Sequence, residues 1–196
     1  MLENLLQLTV LFFVIFDPLA SLAVFFAATS DMNLITRQRI ATYALLVAGG
    51  LSFLFLLFGQ TILNTFSINI NEFKVAGGVI LFLLGIKMAL GQSVVDTDKA
   101  KGNSAMAIAA IIGTPLITGP AAITAIIVSV GDFGKFSTGV AVIIVLMVTA
   151  IIFYQAQRIN KFVGKTAIQV ISTMLGLVTL AWGVKFITTG VQALLI

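Results

Sequence analysis

The chain of 196 residues contains no cysteine and no histidine. The absence of cysteine excludes disulfides and thiolate chemistry, so redox chemistry gives no indication of the compartment. Histidine and cysteine are also the commonest ligands of catalytic zinc, and histidine is the most frequent general base. We therefore expect a protein that is not an enzyme, with no catalytic residue, no resident cofactor and no metal site.

Charged residues are scarce as well, at 9% of the chain, against roughly 25% in soluble proteins. Hydrophobic residues make up 60% and the mean hydropathy is +1.16. The net charge is only +4, and no basic patch lies outside short polar runs, so nucleic acid is not an expected partner. The composition is that of a protein whose solvent is the lipid bilayer.

Six apolar stretches remain when the chain is divided at its polar runs: about 5–28, 40–63, 73–91, 105–130, 136–157 and 167–194. Each is close to the ~20 residues that a helix needs to cross a bilayer. The sequence therefore predicts an all-α membrane protein with six transmembrane helices. The first stretch is too long for a signal peptide and carries Asp17 at its centre, so we expect it to be retained.

The distribution of basic residues predicts the orientation. Seven lie in the predicted loops after helices 1, 3 and 5, and two lie on the other side. The seven are Arg37, Arg39, Lys99, Lys101, Arg158, Lys161 and Lys165, and the two are Lys74 and Lys135. The positive-inside rule makes the first set cytoplasmic. We expect a multi-pass protein of the cell membrane with both termini outside.

An internal repeat divides the chain near residue 97. GVILFLLGIK at 78–87 aligns with GLVTLAWGVK at 176–185, and DPL at 17–19 aligns with TPL at 114–116. Each unit, 1–97 and 98–196, holds three predicted helices, so the second must cross the membrane in the opposite sense. This pattern is that of the inverted repeats of secondary transporters. The alternative is a chance similarity of glycine-rich apolar helices.

The three prolines, Pro18, Pro115 and Pro120, all lie within predicted spans. Asp17 and Thr114 precede two of them, and Asp or Thr before Pro is how a helix begins. We therefore expect helices 1 and 4 to be broken near mid-membrane and to restart, presenting free amides and a positive dipole end to an anion. The alternative is two kinks whose freed carbonyls are satisfied by a nearby serine or threonine.

Asp17 is the one acidic residue inside a predicted span, and a carboxylate there must be paired, solvated or neutral. It could cap a helix, bind a substrate ammonium group, help to coordinate Na⁺ or carry a coupling proton. The roles of Lys87 and Lys185, one in each half, are left open. Lys87 is expected to reach the membrane interface. Gly77, Gly78, Gly176 and Gly183 are expected to form close helix contacts.

The segments FDPLAS, NEFKVAGGVILFLLGIK and GTPLITGPAAIT resemble those of the MarC family of six-helix bacterial and archaeal membrane proteins, over nearly the whole chain. The resemblance implies a secondary transporter of small solutes, and some relatives are associated with glycine and alanine. Ala20 and Ser21 stand where the family pattern usually has Gly-Asn.

The residues and the resemblance together predict a transporter of small neutral amino acids, coupled to H⁺ or Na⁺, with its site between the repeats. Asp17 is the predicted ion-coupling residue. The predicted substrate-binding residues are those of the two breaks, namely Asp17, Pro18, Leu19, Ala20, Ser21, Thr114, Pro115, Thr118, Gly119 and Pro120. An exporter of another small metabolite, a channel or structural subunit, and a membrane-embedded enzyme are the alternatives. A homo-oligomer is compatible with each of them.

Overall fold

The computed structural model describes residues 2–29, 32–92 and 105–195, and all regular secondary structure within these ranges is helical. The helices are α1 (Leu2–Phe16), α2 (Pro18–Thr29), α3 (Leu34–Thr65), α4 (Ile70–Ala89), α5 (Ala105–Ile111), a π-helical segment (Ile112–Ile117), α6 (Pro120–Tyr154) and α7 (Ala156–Leu195). The predicted all-α class is confirmed. The predicted repeat boundary near residue 97 lies outside the described residues.

Side-chain caps explain why α3 and α4 begin where they do. Asn33 accepts a hydrogen bond from the Thr36 amide (2.8 Å) at the start of α3. At the start of α4, the Glu72 carboxylate accepts from the Asn69 amide (2.9 Å), which is half of a capping box. Helix α3 corresponds to the second predicted membrane helix and begins six residues before the predicted stretch 40–63. Arg37 therefore lies within α3 and not in a loop.

Of the described helices, four spans are long and apolar enough to cross a membrane: Leu2–Thr29, Leu34–Thr65, Pro120–Tyr154 and Thr166–Leu195. The first of these spans combines α1 and α2. Helix α4 has 20 residues but carries charges at both ends, including Glu72 and Lys87. Helix α5, with 7 residues, is too short to cross by itself.

The long helix α6 changes direction at Gly134, whose φ of 81° and ψ of 161° are not helical. Before Gly134, the chain contacts α3 through Gly113 beside Ala44 and through Ile127 beside Gly59. After Gly134, it contacts α3 through Gly139 beside Leu56 and through Leu146 beside Gly49. The chain runs parallel to α3 before Gly134 and antiparallel to it afterwards. The two stretches predicted as separate helices therefore run in opposite directions, although they are joined in one continuous element.

Helices α4 and α7 pack antiparallel through glycines. The close neighbours are Gly78 with Ile187, Gly85 with Leu180, and Gly176 with Met88. A Cβ atom on Gly183 would stand 2.6 Å from the backbone nitrogen of Phe82, which is closer than van der Waals contact allows. The predicted close packing of Gly78, Gly176 and Gly183 is confirmed. Gly77 packs in the same manner, but against Thr124 of α6.

The broken span formed by α1 and α2 lies in the interior of the bundle. Of the 18 most apolar consecutive residues in this span, 61% are buried inside the protein. The corresponding share in the other three spans is 28% to 39%. Phe12, Phe16 and Phe25 are all fully buried. Irregular backbone at membrane depth is tolerated only where protein or water covers it, so a break is permitted in this span.

Candidate functional site

The first break is centred on Asp17, which adopts a left-handed backbone conformation with a φ of 37°. Helix α1 ends at Phe16, and α2 begins at Pro18. The Asp17 Oδ1 atom accepts a hydrogen bond from the Ala20 amide (3.2 Å), and its carbonyl accepts one from the Ser21 amide (3.0 Å). Asp17 is therefore the N-cap of α2, as predicted.

The other carboxylate oxygen of Asp17 accepts a hydrogen bond from a residue that is distant in the sequence. The Ser172 hydroxyl, in α7, donates a hydrogen bond to Oδ2, and both side chains are only 6% exposed. The Leu19 amide is a further partner of the carboxylate. Since a carboxylate can accept about four hydrogen bonds, acceptor capacity remains for a ligand. Ser172 was not predicted, because one serine in an apolar helix carries no local signal of a partner 155 residues away.

The second break has two parts. Thr114 is extended, with φ −146° and ψ 121°, inside the π-helical segment. Gly119 is also extended and caps α6 without a side-chain hydrogen bond, and Pro120 is the first residue of that helix. The long helix thus restarts at Pro120 and not at Pro115. The first amides of a helix have no partner within it, so those of Ala121 and Ala122 are available at this positive dipole end.

Thr118, between the two parts, turns away from the break. Its hydroxyl donates to the Ala48 carbonyl (3.1 Å) and lies 3.5 Å from the Ser52 hydroxyl. Both partners belong to α3. These bonds satisfy a side chain that is fully buried, and they hold the start of α6 against α3.

A cavity of about 170 Å³ lies where the two breaks meet. Residues of three regions line it: Ile15, Phe16, Asp17, Ala20 and Ser21 at the first break, Leu116, Ile117, Gly119, Pro120, Ala121 and Ala122 at the second, and Ile80, Leu84 and Met88 on α4. Its wall is mostly apolar. Asp17 and the first turn of α6 provide an anionic group and a positive helix end within one small space.

The predicted site residues divide into two groups. Asp17, Ala20, Ser21, Gly119 and Pro120 line the cavity. The remaining predicted residues that can be placed do not: Pro18 is buried at the start of α2, Leu19 packs against the hydrophobic core, Thr118 faces α3 and Thr114 is exposed. The side chain of Pro115 lies outside the described residues.

The α4 wall, formed by Ile80, Leu84 and Met88, was not predicted, because apolar residues on an apolar helix give no sign of which face lines a cavity. The two lysines left open by the sequence lie elsewhere. Lys87 is in the last turn of α4, and the Lys185 Nζ atom lies 4.5 Å from the centre of the Trp182 ring. Within the described ranges, no three His, Cys, Asp or Glu side chains are grouped so as to hold a metal ion.

The fold and this cavity define a class: an integral membrane protein of packed helices, two of which break around a small, partly polar interior space. Comparison with known proteins gives the family. The model of the MarC family of integral membrane proteins matches residues 2–195. The chain belongs to the MarC family.

Its relatives extend over nearly the same length. The chain is 30% identical to a UPF0056 membrane protein of Methanocaldococcus jannaschii, with 94% of each chain covered. It is also 30% identical to a UPF0056 membrane protein of Pyrococcus horikoshii, covering 97% of this chain and 94% of the relative. The inner membrane protein MarC of Salmonella paratyphi A is 30% identical, with 89% and 88% covered. No solved structure matches the chain.

Proposed function

We propose that the protein is a secondary transporter of small neutral amino acids such as glycine, alanine and serine, and that it binds them in the cavity between the two breaks. The observation that carries the proposal is the meeting of Asp17 with the unpartnered first turn of α6 in one space. A zwitterion needs both an acceptor for its ammonium group and a donor for its carboxylate. The free acceptor positions of Asp17 supply the first, and the amides of Ala121 and Ala122 supply the second.

The size of the cavity favours a small solute. An apolar cavity of roughly 150 Å³ holds a molecule of the size of benzene, and pockets for drug-sized ligands begin at roughly 300 Å³. The present cavity, at about 170 Å³, therefore suits glycine, alanine or serine and not a large drug. A predominantly apolar wall of Ile80, Leu84 and Met88 leaves no partner for a charged side chain on the solute.

In the proposed mechanism, six membrane helices form two inverted repeats of three, in the cell membrane, with both termini outside. Rocking of one repeat against the other would expose the cavity to each side in turn. Asp17 would couple the cycle to H⁺ or Na⁺, because its carboxylate joins the N-cap of α2, the wall of the cavity and Ser172 of α7. The proposal assigns no catalytic residue.

Uptake into proteoliposomes tests the proposal. The wild type is expected to exchange labelled glycine and alanine in counterflow, and to accumulate them when a proton or sodium gradient is imposed. Asp17→Asn keeps the size of the side chain but removes its charge, and we expect it to lose gradient-driven uptake. Glu3→Gln is the matched control, because Glu3 is exposed in the first turn of α1.

The outcomes separate the roles of Asp17. Counterflow that persists in Asp17→Asn without gradient-driven uptake identifies the coupling carboxylate. Loss of both, at unchanged thermal stability, places Asp17 in substrate binding. If the wild type exchanges neither amino acid, the proposed substrate class is wrong.

A further inference from the structure

A second cavity, of about 90 Å³, lies among α1, α4, α6 and α7. Each of these four helices contributes at least one polar side chain to it: Gln7 from α1, Lys74 from α4, Ser129 and Asp132 from α6, and Lys185 from α7. Trp182 forms part of the apolar wall. A few polar side chains that converge on one space are a feature of ligand sites.

The charges in this cavity do not balance. The Lys74 Nζ atom donates to both oxygens of Asp132, at 3.0 and 2.9 Å, and the Lys74 side chain is only 12% exposed. These two charges cancel. Lys185 is exposed and makes no ion pair with any residue that the structure describes, and its ammonium group lies against the Trp182 ring. Two ammonium groups and one carboxylate leave a surplus of one positive charge.

The cavity is placed close to the central one along the same helices. On α1, Leu11 lines the second cavity and Ile15 the central one. On α6, Val128 and Ala122 stand in the same relation. At 1.5 Å per residue, these separations correspond to about 6 to 9 Å along the helix axes. A small solute that leaves one cavity therefore has only one or two helical turns to travel to the other.

We propose that this second cavity is a carboxylate-binding site in which Lys185 holds the anionic group. A single unpaired ammonium group beside an indole ring, in a space too small for a large ligand, fits the carboxylate end of a small molecule. As an outer station for the transported amino acid, the site rests on the proposed function. Its affinity for a carboxylate does not, and can be measured separately.

Trp182 provides the measurement, because it is the only tryptophan in the chain and lies against Lys185. The purified full-length protein is titrated with sodium acetate in place of sodium chloride, at constant ionic strength, while tryptophan fluorescence is recorded. We expect a saturable change with acetate and with glycine, since the bound carboxylate withdraws the ammonium group from the ring. Methylammonium chloride, which has the cation without the carboxylate, is expected to produce none.

Three variants and one control make the assignment specific. Lys185→Gln is expected to weaken acetate binding by at least about tenfold, and Lys185→Arg to retain it. Lys135→Gln is the matched control, since that lysine contacts the Leu57 carbonyl (3.1 Å) and not the cavity. Asp132→Asn removes the carboxylate that occupies Lys74, and is expected to bind acetate several-fold more tightly. A gain in affinity cannot result from misfolding.

The site and the transport function fail independently. A wild type without a saturable response to acetate, or a Lys185→Gln variant with unchanged affinity, overturns the site. Glycine counterflow is measured on the same preparations. Acetate binding without counterflow supports the site and contradicts the transport function, whereas counterflow without acetate binding contradicts the site alone.

Discussion

Asp17 joins parts of the molecule that are distant in the chain. One carboxylate oxygen caps α2, the other receives the hydroxyl of Ser172, and the residue also lines the central cavity. A carboxylate at this depth is costly unless it is hydrogen-bonded, so these donors explain how it is accommodated. The same bonds fix the orientation of the group that would meet the solute.

Removal of the Ser172 hydroxyl should therefore reduce stability. Ser172→Ala leaves a buried carboxylate without one donor, and hydrogen bonds to charged groups contribute about 1.5–3 kcal/mol. We expect a lower thermal unfolding temperature in detergent. The loss should shrink when Asp17→Asn is already present, because the two groups act as a pair.

Ser137→Ala is the control for this cycle, because the Ser137 hydroxyl has no side-chain hydrogen bond among the described residues. A Ser172→Ala variant as stable as the wild type would contradict the bond. The bond would also be contradicted if Ser172→Ala reduced stability by the same amount in the Asp17→Asn background as in the wild type.

At the scale of helices, glycines determine how closely α4 and α7 approach. A Cβ atom on Gly85 would stand 2.5 Å from the backbone nitrogen of Leu180, whereas one on Gly50 would meet nothing within 4 Å. Both glycines lie in helix interiors. Differences in their tolerance of a methyl group therefore report packing and not helix propensity.

Gly85→Ala is expected to destabilise the protein by about 1–3 kcal/mol, the usual cost of overpacking. Gly50→Ala should be neutral, or stabilising by up to about 1 kcal/mol through helix propensity. Thermal unfolding of the two variants in the same detergent measures both. Equal stabilities would show that α4 and α7 are not in contact at Gly85.

The helix breaks also show which structural features could be predicted from the sequence. Asp17 and Pro18 were predictable, because a capping residue before proline is a local signal. The choice of Pro120 over Pro115 was not, since it depends on Thr118 reaching the Ala48 carbonyl of α3. The roles of Ser172 and of the α4 wall also depend on contacts between distant helices, so they could not be predicted from the local sequence. Local chemistry predicted the two helix breaks, whereas the α4 wall and the bond to Ser172 depend on tertiary packing.

At the scale of the whole molecule, the direction change at Gly134 decides which turns share an end of the bundle. Gly131 lies beside Gln60 near the end of α3, so the turns around residues 67 and 134 are at one end. Leu34 and Gln155 line one pocket at the other end. The positive-inside rule then predicts that the first end faces outward.

Single cysteines test this arrangement, because the chain has none of its own. In intact cells, Ser67→Cys and Phe136→Cys should react with a membrane-impermeant maleimide, and Gln157→Cys should react only after permeabilisation. Phe136 is 82% exposed, so its access does not depend on local opening. Reaction of Ser67→Cys and Phe136→Cys from opposite sides would contradict the reversal at Gly134, and a complete inversion of the pattern would contradict the orientation.

The most direct test of the central claim, that a small amino acid binds where the two breaks meet, is protection of a cysteine in the cavity. Ala20 lines the cavity and is partly accessible, so Ala20→Cys introduces a small thiol beside Asp17. Its rate of reaction with a small methanethiosulfonate reagent should fall severalfold in saturating glycine, while that of Ser67→Cys stays constant. A variant that transports glycine but reacts at the same rate in its presence would show that the solute binds elsewhere.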